Sequence, residues 1–220
     1  MEHPESKQIS FYPLLLVYLL FFMWGFIWNL FNVLASFFQE TFQLTNTETS
    51  LGTSLSFLAF FLMSYPARII ISRAGTRNAI ALGSATTAVG LFIFVPASIV
   101  KSYPVFLAGL FILFSGVTLL QTVCNPYIGV LGKKKNRAAR INFAQGIGAI
   151  GAALTAPLGG WFILNLFEGN IFGGIKYFYL ILTGLFLLLA ALVKTAPMPA
   201  NPTETKKEEK LPDRWGAFRY

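Results

Sequence analysis

Residues 119–146 read LLQTVCNPYIGVLGKKKNRAARINFAQG. An apolar run carrying Gln121, Asn125 and Pro126 breaks into Lys133, Lys134, Lys135, Arg137 and Arg140, then turns apolar again around Asn142 and Gln145. A basic block between two apolar stretches is the pattern of a loop joining two membrane-crossing helices. Its charge fixes which side it lies on, because Lys and Arg accumulate in cytoplasmic loops. The amides on either side then fall inside spans, where a polar group needs a reason to be.

The rest of the chain supports a membrane reading. Of its 220 residues 55% are hydrophobic and 12% charged, against about 25% charged in soluble domains. Mean hydropathy is +0.62. Between residues 11 and 193 the acids are Glu40, Glu48 and Glu168, none within an apolar run. The net charge of +8 follows from the cytoplasmic Lys/Arg excess rather than from nucleic-acid binding, for which no motif is present. Cys124, the single cysteine, precludes an intrachain disulfide and reads as a small buried residue, not a nucleophile. No metal-ligand spacing and no intramembrane acid or His cluster appears, so the reading is of a non-enzyme without cofactor or metal. The polar start MEHPESKQIS does not resemble a cleaved signal, so the first span is expected to stay.

About 20 apolar residues cross a bilayer as a helix, and six such runs are expected, over 11–37, 49–71, 79–99, 103–131, 139–166 and 172–193. The connectors are QETFQLTNTETS, SRAGTRN, KSYP, GKKKNRAAR and EGNIFGGIK. Arg68, Arg73 and Arg77 belong to the second connector and its approach, and the five basic residues of the opening stretch to the fourth. The other three connectors hold only Lys101 and Lys176 and all three acids. Both termini are therefore expected in the cytoplasm. The domain plan is a tail over 1–10, a six-helix transmembrane bundle over 11–193, and a cytoplasmic linker over 194–220, rich in Pro, Lys and Glu.

Six spans divide into two triplets of opposite topology, an all-α arrangement of two inverted three-helix repeats like that within each half of a major facilitator fold. The lead helices carry the amides. WGFIWNLFN sets Asn29 and Asn32 three apart, TLLQTVCNPY sets Gln121 and Asn125 four apart, and span 5 adds Asn142 and Gln145. Each pair shares a helix face. Spans 2, 3 and 6 have no such residue inside. Either the amides join helices at ~0.6 kcal/mol per bond, or the set lines a shared hydrophilic cavity, the reading preferred here. Trp28 beside Asn29 could stack on a sugar ring or pack, and Trp24 reads as packing or as an interfacial anchor. Ala144, Gly148, Ala152 and Ala156 form a small-residue stripe for close helix approach. Pro126 and Pro157 can kink their helices.

FFMWGFIWNLFNVLASFFQETFQLTNTETSLG, LLQTVCNPYIGVLG and RINFAQGIGAIGA resemble the fucose-permease (fucose:proton symporter) family of the major facilitator superfamily. The resemblance runs over spans 1–6 nearly in register and implies the N-terminal half of a twelve-span sugar transporter plus the start of its central loop. The amide pattern and the resemblance together give an expected substrate-binding set of Asn29, Asn32, Gln121, Asn125, Asn142, Gln145 and Trp28, of which Asn29, Asn125 and Gln145 match the family's residues. The family pattern has a carboxylate in span 1 three residues after an Asn, and another in span 4 four residues before Asn-Pro. Here these positions are Asn32 and Gln121, and Gly148 replaces a family polar residue. Arg68 and Ser72 stand where the superfamily loop signature has Gly and Asp. Asn and Gln cannot titrate but can donate to and accept from sugar hydroxyls, so proton coupling is doubtful while binding of a neutral sugar (fucose, glucose or galactose in type) is not.

The expected partners are a small sugar, the lipid bilayer of a bacterial inner membrane, and a second six-helix half, from another chain or by self-association. The alternatives are a six-helix protein without transport activity that acts as a regulatory partner, a passive pore formed by several copies, or an inactive truncated transporter. Saturable sugar-specific flux separates the first reading from these.

Overall fold

A computed structural model describes residues 11–131, 134–162 and 171–197. The described chain is helical. Helix α1 spans Phe11–Thr41, α2 Asn46–Val100, α3 Tyr103–Val130, α4 Arg137–Thr155 and α5 Ile171–Thr195. A short 3-10 turn, Lys134–Asn136, leads into α4, and a π turn, Ala156–Gly160, follows it. All five helices, α4 together with its π turn, are long and apolar enough to cross a membrane. The expected N-terminal tail, the linker beyond residue 197, Lys133, and the end of span 5 with Glu168 fall outside the described residues, while α5 continues to Thr195, two residues past the expected end of span 6.

Helix α2 has 55 residues, about 80 Å at 1.5 Å per residue, far more than a bilayer needs. Gly75 divides it. Its φ of 78° and ψ of 165° belong to a region open essentially to glycine alone. The contacts on either side show that the chain reverses there. Before Gly75, residue numbers climb together with those of α3: Glu48 O accepts from Tyr103 Oη, Gly52 lies against Leu110, and Phe60 packs on Phe114. After Gly75 they run opposite: Gly83 lies against Leu120, Gly90 against Leu113, and Phe94 against Phe106. One arm of α2 is thus parallel to α3 and the other antiparallel. The heptapeptide SRAGTRN, expected as a connector, is helical except at this one residue.

Other boundaries also tighten. Expected to start at 49, α2 starts at Asn46 because Thr45 caps it. Its hydroxyl accepts from Glu48 N while the Glu48 carboxylate accepts from Thr45 N at 2.8 Å, a reciprocal capping box. Lys101, left-handed at φ 52°, ends α2, and Ser102 begins α3.

Two helix pairs form the frame. In the first, the second arm of α2 and α3 touch nearly backbone to backbone. A Cβ on Gly90 would sit 2.4 Å from Leu113 N, and one on Gly116 2.4 Å from Thr87 N. Phe94 then stacks on Tyr179, 4.5 Å between ring centroids, bringing in α5. In the second pair, α1 and α4 run parallel: Tyr18 meets Phe143, Gly25 meets Gly148, and Leu30 meets Gly159. A Cβ on Gly25 would lie 2.0 Å from Gly148 O, and one on Gly151 2.2 Å from Phe22 O. Lipid gives little hydrophobic drive to helix association, so such van der Waals fit is what holds the frame.

The α4 contact face corrects one expectation. Ala144 and Gly148 are buried as anticipated, but Ala156 is exposed. Steps of four residues advance 400°, so three steps drift by about 120° from the starting face. The contact instead follows Ala144, Gly148, Gly151, Thr155 and Gly159, all buried. Pro157 sits in the π turn, which absorbs the N–H that proline lacks.

Arginines close two helix ends. Arg77 donates from Nε to Val193 O at 3.3 Å and through its guanidinium to Lys194 O, covering the C-terminus of α5. Arg140 donates from Nε to Ile128 O at 3.2 Å and from Nη2 to Gly129 O at 2.8 Å, covering that of α3. Each places positive charge on orphan carbonyls at the negative end of a helix dipole.

Candidate functional site

The amides lie on α1, α3 and α4, three helices that touch one another. Asn125 and Gln145 come together directly: Gln145 Nε2 donates to Asn125 Oδ1 at 3.2 Å, joining α3 to α4. Asn125 is half-buried and Gln145 exposed. This bond uses one of the two N–H donors of Gln145 and one acceptor site on Asn125. The Gln145 oxygen and the Asn125 amide N–H groups take no part in that bond and keep their capacity to accept and to donate.

Asn29 has a different job. Its Nδ2 donates to Ala152 O at 2.8 Å, tying α1 to α4 beside the glycine contact. Thr155 reinforces the same joint from a fully buried position, its Oγ1 lying 2.9 Å from Phe26 O and 3.1 Å from Gly151 O. One hydroxyl proton serves two carbonyls, one on each helix. Sequence reading passed over Thr155. The signal was its place four residues beyond Gly151 on the small-residue face.

Asn32, exposed, donates to Trp28 O at 3.3 Å within its own helix. Gln121 is half-buried and Asn142 exposed, and among the described residues neither side chain makes a hydrogen bond. The structure therefore joins Asn125 with Gln145, assigns Asn29 to the α1–α4 joint, and, among the described residues, shows no hydrogen bond from Asn32, Gln121 or Asn142 to that pair.

Trp28 is an aromatic hub. Its ring meets Phe114 of α3 edge-on at 5.0 Å, and Phe57 and Phe60 of α2 at 6.0 and 5.5 Å. These contacts hold α1 against α2 and α3. Trp24 is buried against Phe21, which favours packing over the interfacial-anchor alternative expected for it. Cys124 is buried next to Asn125, as a small apolar filler would be.

Helix α4 differs from its neighbours in composition and burial. Its most apolar window has a mean hydropathy of 1.2, against 1.8 or more in the other four, and only 22% of it is buried. Asn142 and Gln145 sit on that helix, so amides and exposure coincide. Among the described residues no group of His, Cys, Asp or Glu could hold a metal ion. The arrangement offers neutral hydrogen-bond donors and acceptors, and nothing in it titrates near neutral pH.

Comparison with known proteins places these features in a family. Residues 17–220 match the family model described as Major Facilitator Superfamily. The glucose/galactose transporter of Brucella abortus biovar 1 (strain 9-941) is 34% identical over 140 residues, 62% of this chain and 34% of that protein. The L-fucose-proton symporter of Escherichia coli (strain K12) is 28% identical over 173 residues, 70% of this chain and 40% of that one. The chain thus spans between a third and a half of the length of these curated relatives. Among solved structures, the E. coli fucose:proton symporter FucP in the outward conformation superposes with a TM-score of 0.73 at 28% identity, over 86% of this chain and 50% of that one. The family and these relatives are transporters, not enzymes. With a match over nearly its whole length and an all-helical fold shared with a solved member, this chain belongs to the Major Facilitator Superfamily of integral membrane transporters.

Proposed function

We propose that this chain is a sugar-recognising bundle that crosses a bacterial inner membrane six times, as two inverted three-helix repeats with both termini in the cytoplasm. It works against a second six-helix bundle. The reversal of α2 at Gly75 supports six crossings, since it turns five helices into six segments whose contacting pairs have the directions that alternate crossing requires. The basic residues Arg68, Arg73 and Arg77 and the block before α4 support the orientation.

The observation that carries the reading is the Gln145–Asn125 pair, bridging α3 and α4 on the polar, exposed side of the least buried helix. Relatives are named for glucose and galactose and for L-fucose, all neutral polyols that such amides can recognise by paired donor and acceptor contacts. In this reading Gln121, Asn125, Asn142 and Gln145 contact the sugar, Asn29 and Asn32 complete the α1 wall, and Trp28 sets the apolar edge. A solute bound between two bundles is released to either side as they rock, the alternating-access scheme of such repeats.

Proton movement has no carrier in this bundle. Intramembrane proton relays use Asp, Glu or His, and the sequence has none of these within an apolar run. Coupling, where it exists, resides in the second bundle or in an ion held by neutral oxygens.

The test is saturable binding of fucose, glucose and galactose to the purified chain in nanodiscs. One of the three is expected to bind, with loss in Gln121→Ala and in Gln145→Ala. Absence of binding in a folded chain with all amides present would refute recognition by this bundle.

A further inference from the structure

A groove of about 470 Å³ lies between the second arm of α2 and α5, away from the amide pair. Its lining is graded. Asn78 and Lys194 line one end, and Ala81, Leu82, Ala85 and Ala190 make much of the rest. Ala85 is seven residues beyond Asn78, about 10 Å along the helix. The groove therefore has a polar mouth and an apolar floor deep enough for the first methylenes of an acyl chain. Leu82, 47% exposed, forms an open side wall.

Charge at the mouth is of one sign. Arg77 and Lys194 are both exposed and meet here, where Arg77 donates to the Val193 and Lys194 carbonyls at the end of α5. The sequence has no Asp or Glu between Glu48 and Glu168, nor between Glu168 and Glu204. No acid from the helices packed around the groove offsets these cations. Asn78 donates one amide N–H to Ala74 O at 2.9 Å, and its second N–H can serve a ligand.

We propose that this groove seats an anionic phospholipid, with one acyl chain against the alanines and the phosphate between Lys194 Nζ and the Asn78 amide. A free phosphate has no use for the apolar floor. A second copy docked here about a two-fold axis would set both chains' cationic clusters face to face, which like-charge repulsion disfavours. The headgroup end is also the basic end, where anionic lipid attracts juxtamembrane Lys and Arg. The site stands independently of sugar recognition.

Native mass spectrometry of the delipidated full chain tests it, with dioleoyl phosphatidylglycerol, dioleoyl phosphatidylcholine and inorganic phosphate as probes. One phosphatidylglycerol is expected to bind in preference to phosphatidylcholine. Lys194→Gln should weaken it about fivefold, the effect of one basic residue near the surface. Ala190→Phe keeps every charge but fills the floor, and should weaken both lipids. Circular dichroism of the two variants establishes that they remain helical. Equal binding of the two lipids, indifference to both substitutions, displacement by phosphate alone, or a dimeric mass abolished by Ala190→Phe would each overturn the proposal. Loss of sugar binding would leave this result untouched, so the two readings fail separately.

Discussion

The two close helix contacts in this bundle use the same device for different ends. Between the second arm of α2 and α3, glycines at 83, 90, 109 and 116 bring backbones together among Leu, Ile and Thr side chains, with no side-chain amide among their nearest neighbours. Between α1 and α4, Gly25, Gly148 and Gly151 do the same, but Asn29 and Thr155 add hydrogen bonds across the joint, and the outward side of α4 carries Asn142 and Gln145. The first contact is a dry splint. The second is a splint on one side and a polar surface on the other. Small residues report where helices meet. Side-chain amide hydrogen bonds accompany the second meeting place.

That contrast can be broken from its strongest element downward. Gly90→Leu and Gly116→Leu drive side chains into the facing backbone, an overpacking beyond the usual 1–3 kcal/mol, and should abolish folded protein by fluorescence-detected size exclusion. Gly184→Leu, where nothing lies within 4 Å of the added Cβ, should fold normally. Equal tolerance at all three sites would remove the dry splint. Next, Arg77→Ala and Arg140→Ala each strip charge-assisted bonds from a helix C-terminus, at about 1.5–3 kcal/mol. Both should lower Tm by several degrees while leaving sugar affinity within about twofold. Asn29→Ala should cost about 0.6 kcal/mol in stability, read as a small drop in Tm. Gln145→Ala, on the polar side, should leave Tm unchanged and remove sugar binding. If Asn29→Ala abolished binding while Gln145→Ala did not, the division of labour between joint and surface would be reversed.

Much of this architecture was legible in the residues. Apolar runs placed α1, α3 and α5 and the start of α4 within a few residues, because length and hydropathy decide whether a segment can cross. The Thr-x-x-Glu signature at Thr45 and Glu48 was equally readable, and it moves the start of α2 earlier than the apolar run suggests. Gly75 was visible as one glycine among polar residues, but its role as the single non-helical residue depends on two arms folding back on α3. Composition also grouped the amides on three helices. It could not separate Asn29, whose partner is a backbone carbonyl 123 positions away, from Gln145, whose partner is another amide. Faces four residues apart drift around a helix, so the small-residue stripe was read correctly at Ala144 and Gly148 and wrongly at Ala156. Thr155 escaped because a hydroxyl in an apolar helix usually bonds its own preceding turn, and here that bond is shared with α1.

The most direct test of the central claim, that neutral amides on α3 and α4 recognise a neutral sugar, is a binding isotherm for the preferred sugar measured from pH 5.5 to 8.5. It is taken on the chain in nanodiscs and on Asn32→Asp with Gln121→Glu. The original chain is predicted to bind with an affinity constant across that range, and the double variant with an affinity that follows carboxylate protonation. A pH-dependent affinity in the original chain, or a double variant indifferent to pH, would contradict the account.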